Sequence, residues 1–321
     1  MDKDFIFSID LGGTTVKLAI IKTDGEIIEK WEIPTNKKEN GKWIVDDIYS
    51  SFMSKIKQSG LVKNQFTGVG MGAPGPFLPD GTLIRAVNIG LENYPLKQIL
   101  EETFSLPAFV ENDANCAALG EMWQGAGKGL KNLICITLGT GVGGGIIANG
   151  RLISGITGGA GEIGHITVRP NDGYVCNCGK TGCLETVASA TGIVRTAEEY
   201  VSRTQEPSSL NLLYEEKNGK ITAKDVFDLL PGDKGAEKIV DRTAYYLGSA
   251  LGTLSTLLNP EAIVIGGGVS RAGDKLLTPV KKYYEKFAFP PTRHDTKIIP
   301  AKLGNDAGVF GAAYLVMQNV L

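Results

Sequence analysis

The chain contains two copies of one supersecondary unit, in which an apolar strand, a glycine-rich loop and a second strand are followed by a tight turn. The first copy covers residues 5–33 (FIFSIDLGGTTVKLAIIKTDGEIIEKWEI), and the second covers residues 133–153 (LICITLGTGVGGGIIANGRLI). The dipeptides Asp24-Gly25 and Asn149-Gly150 stand at equivalent places and are typical of hairpin turns. The duplication predicts an α/β protein with two related halves, each built on an antiparallel hairpin beside parallel strands.

Helical patterns separate the remaining strands. Apolar residues recur every three or four positions between residues 233 and 258, which predicts a helix, and the buried strand AIVIG follows at residues 262–266. The last segment, residues 306–321, is also predicted to be helical. Residues 205–220 are polar and rich in Ser, Asn and Glu, so we expect them to be the least ordered region.

Size and composition exclude several classes of protein. A chain of 321 residues has the length of about two domains. Its net charge of −2 gives no electrostatic reason to expect nucleic acid or an anionic membrane as a partner. No apolar run approaches the roughly 20 residues that span a bilayer, and the N-terminus lacks the pattern of a signal peptide. The five cysteines, an odd number, fit a reducing cytoplasm.

The glycine loops match two nucleotide-binding fingerprints only in part. Gly139 to Gly144 satisfy G-x-G-x-x-G, but the loop runs into a strand and not into the helix that a dinucleotide site requires. Gly179-Lys180-Thr181 resembles the end of a P-loop, but position 174, where that motif needs glycine, is Tyr. The sequence therefore argues against both a dehydrogenase and a P-loop enzyme.

A third interpretation uses both hairpin loops together. Loops at residues 12–15 and 139–145 that faced each other across a cleft would direct backbone N–H groups at a polyphosphate. The glycine triplet at 266–268 would let an adenine or ribose approach the backbone. Asp10, at the end of the first strand, is then a candidate for holding Mg²⁺ through water; alternatively, it is a turn residue that hydrogen-bonds its own loop.

The segment PAFVENDANCAALGE (107–121) places Glu111, Asn112 and Asp113 where a strand gives way to a helix. Asn and Asp are favoured N-cap residues, so one interpretation is purely structural. A carboxylate at such a junction is also well placed to accept a proton from a bound hydroxyl group. These residues alone leave both interpretations open.

His165, Cys176, Cys178 and Cys183 form a Cys₃His set within 19 residues, which suits tetrahedral zinc. Four protein ligands fill the coordination sphere, so the predicted metal is structural and a zinc hydrolase is disfavoured. The C-x-x-C spacing of a redox pair is absent. The metal would hold Glu162 and Glu185, which flank the ligands in sequence, on a glycine-rich segment.

The order of these motifs resembles the ROK family of sugar kinases over nearly the whole chain. The resemblance rests on DLGGT (10–14), GAPGP (72–76), ENDAN (111–115), LGTGVGGG (138–145) and GEIGHI (161–166), and it continues in C-x-C-G-x-x-G-C-x-E and GGGVS. The glucokinases of the family are the most similar. The resemblance implies an actin-like, ribonuclease-H-related ATPase fold whose two lobes close on ATP and sugar. We expect a smaller lobe of residues 1–112 plus about 303–321, and a larger lobe of residues 113–302 with the zinc-bearing sugar loop.

The resemblance also assigns roles to residues. Asp113 would be the catalytic base that accepts the proton of the glucose 6-hydroxyl, while ATP with Mg²⁺ is the phosphoryl donor. The residues expected to bind sugar are Gly75, Asn88, Asn112, Asp113, Glu162, His165 and Glu185. The residues expected to bind nucleotide are Asp10, Gly12, Gly13, Thr14, Thr15, Lys17, Gly139, Thr140, Gly141, Gly143, Gly144, Gly266, Gly267 and Gly268. His165, Cys176, Cys178 and Cys183 would bind structural zinc.

Two alternatives remain beside a glucokinase. Family members often have Asn-Leu followed shortly by Trp where this chain has Asn88-Ile-Gly-Leu-Glu-Asn-Tyr, so the substrate could be fructose, mannose, allose or an N-acetylated amino sugar. The family also includes sugar-responsive repressors. These carry a DNA-binding helix-turn-helix ahead of the kinase-like body, and here the first phosphate loop begins near residue 10. We expect a cytoplasmic enzyme that forms a homodimer or a larger homo-oligomer and acts without nucleic acid or membrane.

Overall fold

The computed structural model describes residues 4–204 and 208–320. These residues form two five-stranded sheets, one two-stranded sheet, and helices. The strands are β1 (Phe5–Leu11), β2 (Thr15–Lys22), β3 (Ile27–Pro34), β4 (Phe66–Ala73), β5 (Leu83–Ala86), β6 (Leu91–Tyr94), β7 (Ala108–Asn112), β8 (Leu133–Leu138), β9 (Val142–Ala148), β10 (Arg151–Leu152), β11 (Ala262–Gly266) and β12 (Lys297–Pro300). The helices are α1 (Ile44–Ser59), α2 (Leu96–Phe104), α3 (Asp113–Trp123), α4 (Glu185–Ala188), α5 (Ala190–Arg203), α6 (Ser209–Glu216), α7 (Ala223–Asp228), α8 (Lys234–Leu258), α9 (Asp274–Phe287), α10 (Pro290–Arg293) and α11 (Ala307–Val320).

The first sheet has the strand order β3-β2-β1-β4-β7. β1 pairs with β2 in antiparallel fashion and with β4 in parallel fashion, and β7 extends the parallel part. One face carries an apolar core with α1 and α2, in which the rings of Phe7 and Phe52 have centroids 4.4 Å apart. The other face packs Ile6 and Ile21 against Val309 and Val316 of α11. Burial of both faces explains why β1 is apolar along nearly all of its length.

The second sheet has the order β10-β9-β8-β11-β12 and repeats the plan of the first. β9 and β10 are antiparallel, whereas β8, β11 and β12 run parallel to one another. The hairpin turns occur at the two predicted places, where Gly25 has φ of 97° and Gly150 has φ of 75°. The predicted α/β fold with a duplicated hairpin core is thereby confirmed.

Contacts divide the chain into two compact units. Unit 1 comprises the described parts of Met1–Gly129, Gly145–Gly161 and Leu303–Leu321, and unit 2 comprises Leu130–Gly144 and Glu162–Lys302. The predicted boundary at residue 113 is therefore wrong for two segments, 113–129 and 145–161, which belong to unit 1. The reason is packing: α3 lies against α11, and a Cβ placed on Gly145 would come within 2.5 Å of Ala118 Cβ on α3.

Other elements follow the sequence closely. The helix expected over 233–258 is α8, which Asp233 caps by accepting a hydrogen bond from the Ala236 N–H at 2.8 Å. The C-terminal helix is α11. In the region expected to be least ordered, residues 209–216 instead form α6, because Ser208 caps this helix and Leu210 is buried. Residues 205–207 of that region lie outside the described residues.

Among the described helices, none combines the length and the apolar character that a bilayer crossing would need.

Candidate active site

In unit 1 the first glycine loop joins β1 to β2 through a very tight turn. The Gly12 N–H donates to the Thr15 carbonyl at 3.0 Å, and a Cβ on Gly12 would lie only 2.8 Å from the same oxygen. Thr35 holds the outside of the turn, because its N–H donates to the Thr14 carbonyl and its hydroxyl donates to the Gly12 carbonyl. The loop is thus fixed by its backbone carbonyls. Among the residues of unit 1 predicted to bind nucleotide, Thr15 and Lys17 lie on β2 and Asp10 lies on β1. Gly12, Gly13 and Thr14 form the turn between these strands.

Asp10 lies at the end of β1, where its carboxylate has two close neighbours. Lys17 Nζ donates to Asp10 Oδ2 at 2.9 Å, and the side chains are 26% and 17% exposed. A Cβ placed on Gly308 would lie 2.7 Å from Asp10 Cγ, so glycine at this position makes room for the carboxylate beside the start of α11. The positive end of a helix favours a carboxylate there. The ion pair leaves one carboxylate oxygen for a further ligand.

Three carboxylates lie around one buried thiol at the same end of the first sheet. Cys116 of α3 is fully buried, and burial is the main cause that raises its pKa well above the usual value. The charges of Glu111, Asp10 and Asp113 raise this pKa further. Cys116 therefore stays a neutral thiol and packs in the core as a small apolar side chain. The candidate Mg²⁺ residue and the candidate base consequently belong to one acidic group in unit 1.

The junction of β7 and α3 resolves the role of Asn112. Its side-chain oxygen accepts hydrogen bonds from the N–H groups of Ala114 at 2.9 Å and Asn115 at 3.2 Å, so Asn112 is the N-cap of α3. Asp113 is consequently the first helical residue, and it is exposed. The structural and the catalytic interpretations of this motif therefore apply to different residues. Asn112 caps the helix, while the carboxylate of Asp113 stays accessible.

Three further hydrogen bonds fix this junction within unit 1. Asn112 Nδ2 donates to the Gly75 carbonyl at 3.3 Å, which brings together two residues predicted to bind sugar. Glu111 Oε1 accepts from Asn115 Nδ2 at 3.0 Å, and Glu111 Oε2 accepts from the Ser154 hydroxyl at 3.0 Å. Asn88, another residue of unit 1 that is predicted to bind sugar, lies beside the first glycine loop, since a Cβ on Gly13 would be 3.5 Å from Asn88 Cβ.

In unit 2 the second glycine loop is shorter than the sequence indicated. It spans only residues 139–141, because Gly143 and Gly144 already lie on β9. The Gly139 N–H donates to the Gly141 carbonyl at 2.9 Å, and the Gly139 carbonyl accepts from the Ala190 N–H at the start of α5. Thr191 of α5 adds a hydroxyl bond to the Thr140 carbonyl at 3.0 Å. The loop is therefore attached to the start of α5.

In the glycine triplet at 266–268, at the end of β11, two of the three glycines lie close to other parts of the protein. A Cβ on Gly267 would lie 2.5 Å from the Leu138 carbonyl oxygen, and Gly267 has φ of 86°. A Cβ on Gly266 would lie 3.0 Å from Ala301 Cβ, whereas the space around Gly268 is open. The expectation that the triplet makes room for an adenine or ribose stays a prediction, and Gly267 also has a packing role of its own. Position 267 requires glycine because the end of β11 lies against the backbone of β8, which leaves no room for a side chain.

Glu185 joins the second glycine loop to the cysteine loop, the name used here for residues 165–185. Its Oε2 accepts from the Val142 N–H at 3.0 Å, and a Cβ on Gly141 would come within 2.2 Å of that oxygen. Its Oε1 accepts from the Cys176 thiol at 3.7 Å. Glu185 thus connects a predicted nucleotide loop with a predicted metal ligand.

The four candidate metal ligands converge in the structure. The ligand atoms of His165, Cys176, Cys178 and Cys183 all lie within 4.8 Å of one another. Cys178 Sγ is 3.7 Å from Cys183 Sγ, and Cys176 Sγ is 3.5 Å from His165 Nδ1. In tetrahedral zinc sites, Zn–S and Zn–N bond lengths place two sulfurs about 3.8 Å apart, and a sulfur and a nitrogen about 3.6 Å apart. The donor set and its spacing therefore fit a tetrahedral ion such as zinc.

The two nitrogens of His165 face different groups. Nδ1 lies beside Cys176, whereas Nε2 is 3.8 Å from Glu162 Oε2, and both side chains are partly exposed. The imidazole can therefore serve the candidate metal site through one nitrogen and an accessible polar group through the other. Glu162, His165 and Glu185 form one polar group in unit 2.

Comparison with known proteins decides the family. The ROK family model matches residues 6–319. The chain belongs to the ROK family. The predicted resemblance is thereby confirmed over nearly the full length.

Individual ROK relatives match nearly the whole of this chain. A glucokinase of Halalkalibacterium halodurans is 53% identical over 320 residues, which cover 99% of this chain and 96% of that protein. The crystal structure of a ROK family glucokinase from Streptomyces griseus, in complex with glucose and AMPPNP, has a TM-score of 0.78 and 36% identity, and covers 98% of this chain and 100% of that one. A putative xylose repressor of a Caldicellulosiruptor species is 30% identical, and the matched region covers 98% of this chain but 79% of that protein.

Several residues that contact the candidate site residues were not predicted. Thr35 and Gly308 lie far in sequence from the motifs, and Ser154 belongs to a glycine-rich segment without a periodic pattern. For Gly308 there was a local signal, because Gly304-Asn305-Asp306 marks the start of α11 shortly before it.

Proposed function

We propose that the protein is an ATP-dependent glucokinase that transfers the γ-phosphoryl group of ATP to the 6-hydroxyl of glucose. The observation that carries the proposal is the 53% identity, over 99% of this chain, with a glucokinase. The accessible Asp113 at the start of α3 supports it, because a kinase for a hydroxyl needs a proton acceptor at the end of a rigid element.

In the proposed reaction Asp113 accepts the proton of the sugar 6-hydroxyl. The hydroxyl oxygen forms a bond to the γ-phosphorus while the bond to the β–γ bridging oxygen breaks, and ADP leaves. Asn112 keeps Asp113 at the first position of α3 through the cap and its bond to Gly75. Because phosphoryl transfer requires little covalent assistance, this positioning and charge neutralisation supply most of the acceleration.

The glycine loops at residues 12–14 and 139–141 are proposed to bind the phosphates through backbone N–H groups. Mg²⁺ would neutralise the phosphate charge, and Asp10 is the residue proposed to hold its water shell. Lys17 is proposed to pass from Asp10 to a phosphate oxygen when nucleotide binds, since it already neutralises that carboxylate at 2.9 Å. Gly268, with open space around it, is proposed to lie beside the adenosine.

The cysteine loop and the neighbouring Glu162 are proposed to bind the sugar. Glu162, His165 Nε2 and Glu185 would bond sugar hydroxyls, and the Cys₃His set would hold structural zinc that keeps these groups in place. Because four protein ligands fill the coordination sphere, the metal supplies rigidity and no open site for water. Gly75 and Asn88 are also proposed as sugar-binding residues.

Steady-state kinetics over a panel of sugars test the proposal. ADP release is measured with Mg·ATP and glucose, mannose, fructose, allose, N-acetylglucosamine or N-acetylmannosamine, and the product is identified with glucose-6-phosphate dehydrogenase. We expect the highest kcat/KM with glucose. A higher value for another sugar would replace glucose as the substrate, and no turnover with any sugar would reject the kinase assignment and favour the repressor-like alternative.

The proposed compartment is the cytoplasm, where a reducing environment keeps the three cysteines of the loop reduced and able to bind zinc. We also propose that the protein is a homodimer or a larger homo-oligomer, on the basis of family likeness. Light scattering coupled to size-exclusion chromatography tests the assembly.

A further inference from the structure

Tyr174 connects the cysteine loop to helices outside it. It lies between the ligands His165 and Cys176 in sequence, and its carbonyl accepts from the Gly182 N–H at 2.9 Å within the loop. The guanidinium groups of Arg169 and Arg195 lie over its ring, with their central carbons 5.2 Å and 5.1 Å from the ring centroid. Arg169 belongs to the loop, whereas Arg195 belongs to α5. The Tyr174 ring therefore contacts one cationic side chain of the loop and one of α5.

The Tyr174 hydroxyl donates to Oε2 of Glu199 on α5. The same oxygen accepts from Arg242 Nη1 of α8 at 3.0 Å, and Glu199 Oε1 pairs with Arg203 Nη1 at 2.8 Å. Glu199 is only 19% exposed, so these bonds are partly protected from water. Bonds of this charge-assisted kind are stronger than those between neutral groups. One carboxylate thus joins the loop to two helices.

This attachment is remote from the point where the loop continues into the helices. The loop ends at Glu185, and α5 begins at Ala190. Glu199 lies nine residues further along α5, about 14 Å from its start at 1.5 Å per residue. A loop held at its end and again at Tyr174 has less freedom to rotate than one held by its chain connections and an internal metal alone.

We propose that Tyr174 is a positioning residue for the sugar site: through Glu199 and Arg242 it holds the cysteine loop against α5 and α8, so that His165, Glu162 and Glu185 are already oriented before glucose binds. The inference rests on the proposed function, which assigns the sugar contacts to this loop. Tyr174 itself needs no contact with the sugar. Its effect passes through the loop.

The test uses Tyr174→Phe, which removes the hydroxyl and keeps the ring over which the two arginines lie. Tyr283→Phe is the matched control, because the Tyr283 hydroxyl also donates to a carboxylate of α8, that of Asp241 at 2.8 Å, but does so from α9. Glu199→Gln keeps an acceptor for the Tyr174 hydroxyl, whereas Glu199→Ala removes it. Thermal unfolding of every variant verifies folding.

Three quantities are measured: KM for glucose against kcat, the rate at which a chelator removes zinc from the purified protein, and amide hydrogen exchange over residues 166–184. Loss of one charge-assisted hydrogen bond predicts that Tyr174→Phe raises KM for glucose and the zinc-release rate by about tenfold each. The value of kcat should change little, because the contact acts on binding. Exchange in the loop should accelerate, Glu199→Gln should be milder than Glu199→Ala, and Tyr283→Phe should match the wild type.

Wild-type KM, zinc release and hydrogen exchange in a folded Tyr174→Phe variant would overturn the inference. So would an effect of Tyr283→Phe as large as that of Tyr174→Phe, since it would indicate general loss of stability. If the wild type phosphorylates no sugar, the proposed function fails, while zinc release and hydrogen exchange still decide whether Tyr174 holds the loop. If Tyr174→Phe accelerates exchange but leaves KM unchanged, Tyr174 stabilises the loop without positioning the sugar site, and the inference fails.

Discussion

His165 Nδ1 lies 3.5 Å from Cys176 Sγ, the separation of two neighbouring ligands on one tetrahedral zinc ion. The purified protein should therefore contain one zinc per chain. Cys178→Ser should lower the zinc content and the melting temperature, because metal binding would cross-link separate segments of the cysteine loop. Elemental analysis by mass spectrometry checks the content. Cys135→Ala, a change on β8 away from the cluster, should retain full zinc, and equal loss in both variants would contradict the assignment.

Asp113→Asn should reduce kcat by about 10²–10⁴-fold, the usual effect of losing a general base, while glucose affinity is largely kept. Glucose affinity is measured by calorimetry and turnover by the coupled ADP assay. Asp274→Asn is the matched control, because Asp274 is likewise an exposed first residue of a helix, α9. Near-normal turnover of Asp113→Asn would remove Asp113 from the role of base.

Asn112→Ala should lower the free energy of unfolding by about 1 kcal/mol, the typical cost of losing an N-cap. It should also lower kcat, because the bonds that fix the start of α3 also fix Asp113. Urea unfolding and steady-state kinetics measure the two effects. Thr222→Ala removes the N-cap of α7 and should destabilise without a change in kcat. A fall in kcat of the same size for Thr222→Ala would show that stability alone is responsible.

Gly141→Ala should weaken glucose binding severalfold without unfolding the protein. The new Cβ would lie 2.2 Å from Glu185 Oε2, and the end of this side chain can move away more easily than the backbone. Glucose affinity is measured calorimetrically without nucleotide. Gly139→Ala is the comparison in the same loop, because a Cβ there meets no atom within 4 Å. Equal glucose affinities for the two variants would contradict the displacement of Glu185.

Glu261 gives a prediction for pH dependence. Its carboxylate accepts from the backbone N–H groups of Lys131 and Asn132, each at 2.8 Å, and these bonds hold the pKa of Glu261 below its usual value of 4.5. Because the folded-state pKa is depressed, the contribution of the carboxylate to stability is present above pH 4.5 and is lost as the pH falls through the folded-state pKa. The effect is small because Glu261 is exposed.

Urea unfolding at several pH values tests this prediction with Glu261→Gln, which cannot titrate. The advantage of the wild type over the variant should shrink as the medium becomes more acidic. A difference that stays constant from neutral to acidic pH would contradict the role of the two N–H bonds.

The local parts of the site were predictable from the sequence. The two hairpins, the N-terminal residues of α3 and the Cys₃His set each lie within short segments, so spacing alone specifies which groups meet. The convergence of His165 with Cys176, Cys178 and Cys183 agrees with that expectation. The helix α8 was predictable for a similar reason, because its apolar residues keep one period over 25 residues.

The parts that depend on distant packing were not predictable. Residues 113–129 join unit 1 because α3 packs on α11, about 190 residues later in the chain, and no local pattern indicates that contact. Gly267 was predicted to leave space for a ligand, and the structure adds that its missing side chain leaves space for the backbone of Leu138. Glycine patterns show where the chain comes close to another group, but they do not show whether that group is ligand or protein.

The position of α11 has a consequence for biosynthesis. Val309, Ala312, Ala313 and Val316 of this helix are buried against strands that the ribosome produces some 240 to 300 residues earlier. Residues 130–144 and 162–302 are complete before α11 is made, so the nascent chain can assemble its middle portion while the first sheet still exposes one apolar face. Translation that stops shortly before residue 303 would leave that face uncovered, and such a truncated product is expected to require a chaperone or to aggregate.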